Sequence, residues 1–153
     1  MTRTETSGRS PALDLWVVLA RAFDSVGRHA TAQVARHHLA GAEFGVLEIL
    51  YHKGRLPVCQ VQRRILLQSG STTYVIDKLA RRGLVRRTPN PDDRRGTLLE
   101  LTAAGKRMIA RIFPEHAATM CAAMAALGPK EQRAATRLLR KLGLGAMEKL
   151  TEK

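Results

Sequence analysis

Basic side chains are concentrated in one short stretch of this sequence, residues 78–95. Seven lysines and arginines stand there against two acidic residues, Asp92 and Asp93. Such crowding is repulsive within a protein, whereas contacts with phosphate groups release counterions and favour binding to a nucleic acid. A charge run is usually only a solvated face, so its structural context decides whether it indicates a binding site. The seven residues are Lys78, Arg81, Arg82, Arg86, Arg87, Arg94 and Arg95.

Short polar side chains precede this basic stretch. In the first turn of a helix, groups of this size can meet base edges or phosphates in the major groove of duplex DNA. The basic side chains that follow, Lys78, Arg81, Arg82 and Arg87, fit contacts with phosphate better. The polar residues expected at the DNA are Ser69, Ser71, Thr72, Thr73 and Tyr74.

Two arginines follow an aspartate pair within a turn-rich segment, residues 89–96. Arg94 or Arg95 can enter a narrow minor groove, where the enhanced negative potential attracts a guanidinium group. Asp93 has two interpretations. It is either an anchor that holds one of these arginines in an ion pair, or a turn former like Asp92. We expect the anchor, and with it a DNA-binding role for Asp93.

Patterns typical of enzymes and metal sites are sparse. The sequence contains no phosphate-cradling glycine loop, nucleophile elbow or HExxH motif, so we expect no catalytic residue, no cofactor and no enzyme. Glu115 and His116 could supply metal ligands together with His37, His38 or Glu43. Because adjacent helical residues point in different directions, a hydrogen bond between two helices is the preferred interpretation, and no metal site is predicted.

The two cysteines, Cys59 and Cys121, are far apart and belong to no CxxC motif, so we expect two free thiols. Cys59 lies shortly before the polar and basic residues, where its oxidation could disturb a DNA-binding surface. A free cysteine is more often a small buried hydrophobe, which is the preferred interpretation of both.

The overall composition also favours a nucleic-acid partner. The 153-residue chain carries 26 lysines and arginines against 13 acidic residues, which gives a formal net charge of +13. An aromatic content of 4% is low for a protein that stacks single-stranded bases on its rings, so duplex DNA is favoured. The sequence has no apolar run that could span a membrane and no apolar stretch in residues 1–11. We therefore expect a cytoplasmic protein without a membrane partner.

Apolar periodicity predicts long helices at both ends of the chain. Apolar residues at three- and four-residue steps predict an amphipathic helix over 13–38, and a second helix over 41–54 that ends in a left-handed glycine cap. Further on, a long helix over 102–127 begins at a threonine cap and is expected to be kinked by Pro114. The last helix begins at Pro129, a favoured first position.

The middle of the chain predicts a winged helix. A short helix after Pro57, a tight polar turn and a helix over 71–83, capped by its first residue, form a helix-turn-helix pattern. Two strands, 84–87 and 97–101, flank the turn-rich segment 89–96 and predict a hairpin. The predicted fold class is therefore mainly α, a winged helix-turn-helix with a small β-hairpin wing and long N- and C-terminal helices.

Several blocks of this sequence resemble the MarR family of winged-helix regulators. Residues 93–102 match the family's wing signature, an Asp-x-Arg followed by hydrophobic residues and Leu-Thr. Residues 79–87 match its Leu-x-x-x-Gly-Leu-Val-x-Arg segment, and Gly105 stands where the family places a glycine after Leu-Thr. The resemblance implies a bacterial homodimer that binds a pseudo-palindromic operator and represses transcription until a small ligand or an oxidant weakens binding.

Three further blocks look like the MhqR-like branch of this family: residues 47–54, 67–79 and 112–116. That branch is associated with quinone and catechol resistance, which implies a small phenolic or aromatic ligand. Tyr74 departs from the family pattern, because many members carry a basic residue there. The usual base readout therefore cannot be transferred to it.

The chain is expected to form a single domain of this type over 11–153, after a disordered polar tail over 1–10. The resemblance implies a DNA-binding lobe over about 40–102. The dimerisation helices are then expected at about 11–38 and 103–150.

In this family a ligand pocket lies between the dimer helices and the DNA-binding lobe. The rings that would line it here come from the first, second and fifth helices, although each ring alone is more often part of a hydrophobic core. A thiol- or metal-responsive regulator of the same fold, or an architectural DNA-binding protein without a sensor, are the alternatives. The six candidate ligand-binding residues are Trp16, Phe23, Phe44, Tyr51, Phe113 and His116.

Overall fold

The computed structural model describes residues 10–65 and 72–151 of the chain. Of the predicted tail, only Ser10 is described, and the predicted polar turn at 68–70 and the Ser71 cap lie outside the described residues. The elements are α1 (Pro11–Ala35), α2 (Gly41–Lys53), β1 (Leu56–Pro57), α3 (Val58–Arg64), α4 (Thr72–Arg81), β2 (Val85–Asn90), β3 (Asp93–Leu101), α5 (Ala103–Ala123) and α6 (Pro129–Thr151). The predicted fold class, mainly α with a small wing, is confirmed.

Most helix positions agree with the periodicity of the sequence. α1 begins at Pro11 and α6 at Pro129, where a proline needs no partner for a backbone N–H. α2 ends at a glycine cap, Gly54, with φ of 74°. No helix among the residues described is long and apolar enough to cross a membrane.

Two helices end earlier than predicted. α1 stops at Ala35 instead of continuing to His38, because His38 has a φ of 56° and a helix cannot continue through that conformation. α5 runs through Pro114 without a break but stops short of the predicted end at Leu127. There the chain forms a turn, in which the Leu127 N–H donates to the Met124 carbonyl, before α6 begins.

The wing is longer, and its turn tighter, than predicted. β2 and β3 continue through most of the segment predicted as a turn, pairing as far as Asn90 opposite Asp93, with a register shift after Pro89, and leaving residues 91–92 between them. Pro89 is tolerated because β2 is an edge strand, where a missing N–H can face solvent. β1 was not predicted, and it pairs Leu56 with Leu99 on the other side of β3.

The root of the wing is fixed by a junction between the end of α4 and the start of α5. Thr102 caps α5 as predicted: its hydroxyl accepts from the Gly105 N–H at 3.0 Å and donates to the Gly83 carbonyl at 2.6 Å. The Thr102 N–H donates to the Leu84 carbonyl. A Cβ on Gly105 would lie 2.0 Å from that same carbonyl oxygen, so only glycine fits this approach.

One hydrophobic core joins these elements and sets the position of α4 relative to the wing. Its largest fully buried side chains come from α2, α4, β3 and α5, so α4 packs through one face and leaves the other free. These large side chains are Leu47, Ile76, Leu79, Leu99, Ile109 and Ile112.

Apolar surface remains uncovered on α1 and α6. α6 contributes no buried residue, although it presents a run of leucines, and the first half of α1 exposes its aromatic rings. The large exposed apolar residues are Leu13, Leu15, Trp16, Val18 and Phe23 on α1, and Leu138, Leu139, Leu142, Leu144, Met147 and Leu150 on α6.

Candidate nucleic-acid interface

α4 presents the polar side chains that the sequence predicted at the DNA. Ile76 and Leu79 are fully buried, and this anchors one face of the helix. Thr73 and Tyr74 project from the first turn into solvent, Tyr74 with 62% of its surface exposed, and Thr72 is half-buried. The first turn can therefore meet a groove without any repacking of the core. Ser69 and Ser71 lie outside the described residues.

The five arginines predicted at the DNA are all exposed, and three of them differ from the others in their partners: Arg81 at the end of α4, and Arg94 and Arg95 at the start of β3. Among the described residues, none of these three has an ion-pair partner. Unpaired cations on these two elements can bind phosphate or enter a groove without first breaking an ion pair.

Other cations of the basic stretch have partners within the protein, which the sequence did not indicate. Lys78 and Arg82 both pair with Glu43, and Arg87 pairs with Asp77 of α4 at 2.7 Å. The expected phosphate contacts of these three residues therefore compete with ion pairs. Their acidic partners are distant in sequence, which explains why spacing alone could not reveal them.

A further ion pair lies within the wing itself. Arg86 lies 2.6 Å from Glu100 across the β2–β3 ladder. This pair neutralises another cation of the basic stretch. The effective positive charge of the DNA-facing surface is thus smaller than the sequence alone suggests.

Glu43 is the most buried charged group of this surface, with 2% of its side chain exposed. Its carboxylate accepts from Lys78 Nζ at 3.2 Å, from the Arg82 guanidinium at 3.1 Å and from the Ala40 N–H at 2.8 Å. Burial alone raises the pKa of a carboxyl group, but these three donors outweigh that cost. The pKa of Glu43 therefore lies below its ordinary value of 4.5.

The anchor interpretation of Asp93 is wrong for the structure described. Its Oδ1 accepts from the backbone N–H of Arg95 at 2.9 Å, and it forms no ion pair with either neighbouring arginine among the described residues. Asn90 closes the turn from the other strand by accepting from the Asp92 N–H at 3.1 Å. A carboxylate that accepts a hydrogen bond from the backbone N–H two residues later stabilises a turn, so Asp93 is a turn former.

Two arginines outside the basic stretch are also exposed in the helix-turn-helix region. Arg63 and Arg64 are exposed on α3, the helix before α4 in the helix-turn-helix. They are not among the residues predicted at the DNA. Two successive arginines in the first helix of the predicted helix-turn-helix were the signal that could have done so.

The six residues expected to bind a ligand are not brought together. The ring of Phe44 lies 4.3 Å from that of His116, and Tyr51 lies 5.9 Å from Phe113, so four of the six lie between α2 and α5. His52, which was not predicted, also contacts Phe113 at 4.7 Å.

Trp16 and Phe23 lie elsewhere and correct that prediction. They line an open groove formed by α1 alone. His116 contacts α1 through Gln33, and at about 1.5 Å of rise per residue Trp16 lies roughly 25 Å along the helix from that contact. One α-helix cannot fold back to bring both ends to one pocket.

Three of the residues considered as metal ligands, His37, Glu115 and His116, form polar contacts between α5 and the end of α1 or the turn after it. His37 Nε2 lies 3.1 Å from a Glu115 oxygen, and Arg36 binds the other oxygen at 2.9 Å. His116 Nδ1 lies 3.1 Å from the Gln33 Oε1. Glu115 and His116 thus take part in separate helix–helix contacts, and no cluster of three metal-ligating side chains occurs in the part of the chain described.

Both cysteines are free, as predicted, but the expectation that they are buried is wrong. Cys59 and Cys121 are exposed. Cys59 lines a shallow concavity between α3 and the wing, together with Gln62, Arg87 and Arg95. Its thiol therefore lies beside the candidate DNA-binding surface.

Sequence comparison identifies relatives that cover nearly the whole chain. A family model described as MarR family matches residues 40–97. The HTH-type transcriptional regulator MhqR of Bacillus subtilis is 41% identical over 137 residues, which are 90% of this chain and 94% of that protein. The relatives are regulators of transcription, not enzymes.

Structural comparison leads to the same group. BpsR of Bordetella bronchiseptica, whose DNA binding is regulated by 6-hydroxynicotinic acid, superposes with a TM-score of 0.70 at 27% identity, over 85% of this chain and 98% of its own. A MarR variant from Escherichia coli complexed with operator DNA superposes with a TM-score of 0.75 at 21% identity, over 86% and 94% of the two chains. These similarities confirm the winged-helix fold.

Proposed function

Because the chain belongs to the MarR family of winged helix-turn-helix transcriptional regulators, we propose that it represses transcription as a homodimer on a pseudo-palindromic DNA operator. One observation carries the proposal. The polar first turn of α4 is exposed, as are the guanidinium groups of Arg81, Arg94 and Arg95, which have no ion pair with any residue in 10–65 or 72–151. They lie on the helix and wing that a winged helix offers to DNA.

In this proposal the two elements divide the recognition. Thr72, Thr73 and Tyr74, with Ser69 and Ser71 before them, meet base edges and phosphates in the major groove. A basic side chain at the end of α4 binds phosphate. Arginines at the start of β3 reach the minor groove, where guanidinium groups are attracted by the negative potential.

The uncovered apolar surface of α1 and α6 supports the homodimer. A buried leucine contributes about 2 kcal/mol relative to an exposed one, so a helix with six large apolar residues exposed is stabilised by a partner. Two copies joined through 11–38 and 103–150 would place their DNA-binding lobes, 40–102, side by side. The two α4 helices would then lie about 34 Å apart, one turn of DNA.

A small planar phenolic compound is the proposed signal. Phe44, Tyr51, Phe113 and His116 offer aromatic surface between α2 and α5, and the buried Gln33 Nε2 has no hydrogen-bond partner among the described residues. The relationship to MhqR and the aromatic acid that regulates BpsR are consistent with such a ligand. Trp16 and Phe23 are assigned to the dimer contact instead.

A thiol-responsive repressor is the second candidate. The exposure of Cys59 beside Arg87 and Arg95 favours it, because a bulky or charged adduct there would obstruct the wing. An architectural protein without a sensor would use the same surface with little preference for sequence.

Selection of genomic DNA fragments by the purified protein, followed by sequencing, tests this function. We expect one palindromic motif, bound at least about a thousandfold more tightly than random duplex of equal length at the same salt concentration. Equal affinity for both duplexes would instead identify an architectural protein.

A further inference from the structure

We propose that Glu43 is a positioning residue for sequence-specific DNA binding, which ties the recognition helix α4 to the α1–α2 junction. Lys78 and Arg82 then serve this internal tie and not DNA phosphates. The inference rests on the proposed function, since it concerns how the DNA-binding surface is presented.

The contacts of Glu43 engage both of its oxygens. Oε2 accepts from Lys78 and from the Ala40 N–H, and Oε1 accepts from Arg82. Arg82 also donates from the same Nη1 to the His38 carbonyl at 3.0 Å. Lys78 of α4 and Arg82, the residue directly after α4, are thus bound to the first turn of α2, and Arg82 also to the segment before it.

Burial explains why the tie persists when phosphate is near. Only 2% of the Glu43 side chain is exposed, whereas Lys78 and Arg82 are 43% and 30% exposed. A cation that left for a phosphate would leave a buried carboxylate with one partner fewer, which is costly in a medium of low polarity. The phosphate contact that the cation gained would thus be offset by the loss of its ion pair with Glu43.

The position of the tie along α4 gives it an effect on specificity. Lys78 and Arg82 are four residues apart, so they project from the same side at the C-terminal end of the helix. Thr73 and Tyr74 lie at the opposite end. A helix is rigid over this length, so fixing one end determines the direction in which the other enters the groove.

The salt dependence of DNA binding distinguishes a lysine that contacts phosphate from a lysine that is held in an ion pair within the protein. Arg81 is a matched control for Lys78, because it lies on the same helix but has no partner among the described residues. For random duplex, Arg81→Met should reduce the slope of log affinity against log salt by about 1, and Lys78→Met should leave it unchanged. A Lys78→Met variant whose slope also falls by about 1 would overturn the proposal.

The Glu43→Gln variant tests positioning directly. We expect the ratio of operator to random affinity to fall at least tenfold, while the slope on random duplex steepens because Lys78 and Arg82 are released. Glu48→Gln is the control: it makes the same change of charge on the same helix, and Glu48 has no ion pair among the described residues. Its ratio should equal that of the wild type.

Two results would contradict this role. Glu43→Gln could keep the wild-type ratio, or could weaken both duplexes equally with an unchanged slope, which is the signature of a merely structural residue. If Glu43→Gln does not fold, the Lys78 and Arg81 pair of variants decides. A wild-type protein without sequence preference would refute the proposed repressor, and the slopes on random duplex would still test the tie.

Discussion

Glu43 and Phe44 are consecutive residues of α2 that contact different elements of the molecule. The Glu43 carboxylate binds Lys78 of α4 and Arg82 directly after that helix, and the Phe44 ring packs 4.3 Å from that of His116 on α5. A ligand that displaced the Phe44 ring would therefore act one residue away from the contacts of the recognition helix. This short connection makes α2 a direct link between the aromatic cluster shared with α5 and the candidate DNA-binding surface.

Removal of either wing arginine should weaken operator binding. Arg94→Ala and Arg95→Ala each delete an exposed guanidinium group, and we expect a loss of about 1–3 kcal/mol of binding free energy with an unchanged melting temperature. A mobility-shift titration on the selected operator measures this. Asp93→Ala should also weaken binding, because the turn loses its hydrogen bond to the Arg95 N–H. Unchanged affinity in all three variants would exclude the wing from the interface.

Alanine at Gly105 should destabilise the wing root. Its Cβ would lie 2.0 Å from the Leu84 carbonyl oxygen, a backbone atom that cannot move aside alone. We expect Gly105→Ala to lower the free energy of unfolding by about 2–4 kcal/mol in urea denaturation. Gly143→Ala is the control, since no atom lies within 4 Å of its Cβ position. It should leave stability unchanged or raise it, and equal losses in both variants would contradict the steric argument.

The sequence predicted the elements of the fold because they depend on local patterns. Apolar periodicity, the Pro129 start and the Thr102 cap each involve residues within a few positions of one another, and all three agree with the structure. The wing turn was predicted too long, because proline is frequent in turns but is also tolerated in an edge strand, as Pro89 is in β2.

The candidate site was less predictable because it depends on contacts between distant residues. Glu43 is 35 residues from Lys78 and 39 from Arg82, and no local pattern connects them. The separation of the expected ligand residues has the same origin. The sequence places Trp16 and Phe23 on α1, but it does not reveal which end of α1 contacts α5. Asp93 differs, because a short-range hydrogen bond competed with the expected ion pair and formed instead.

Acidification should weaken the fold through Glu43. Because its pKa is lower in the folded protein than the ordinary 4.5, its stabilising contribution is complete above that value and is lost as the pH falls through the folded-state pKa. Urea denaturation between about pH 6 and pH 3 should therefore show a decline in unfolding free energy that is shallower in Glu43→Gln. Glu48→Gln should keep the wild-type decline, and an equally steep decline in Glu43→Gln would refute this account.

Deletion of residues 129–153 should produce monomers that lose specific DNA binding. α6 buries none of its own residues, so its leucines stabilise the protein only through a partner. Light scattering measures the mass, and Leu142→Glu tests the same surface with the chain intact. A truncated protein that stays dimeric would show that α6 is not the dimer contact.

A reduced phenolic compound should release the protein from its operator without modifying a thiol. The probe is catechol, kept anaerobic so that no quinone forms, and the readout is operator affinity. A ligand that prefers a protomer spacing unsuited to the two half-sites needs only a few kcal/mol of differential binding to release most operators. His116→Ala should abolish this response, because it removes the ring beside Phe44, whereas His29→Ala on the exposed face of α1 should not.

The double variant Cys59→Ser/Cys121→Ser separates the two possible sensors. If the aromatic cluster between α2 and α5 detects the compound, this variant binds DNA normally and still responds to catechol, because neither cysteine belongs to that cluster. If it binds DNA normally but no longer responds, the proposed ligand site in the cluster is wrong and a cysteine is the sensor. Restoring each cysteine singly then assigns the response: Cys59 adjoins the wing through Arg95, whereas Cys121 lies on α5, remote in sequence from every element of the DNA-binding surface.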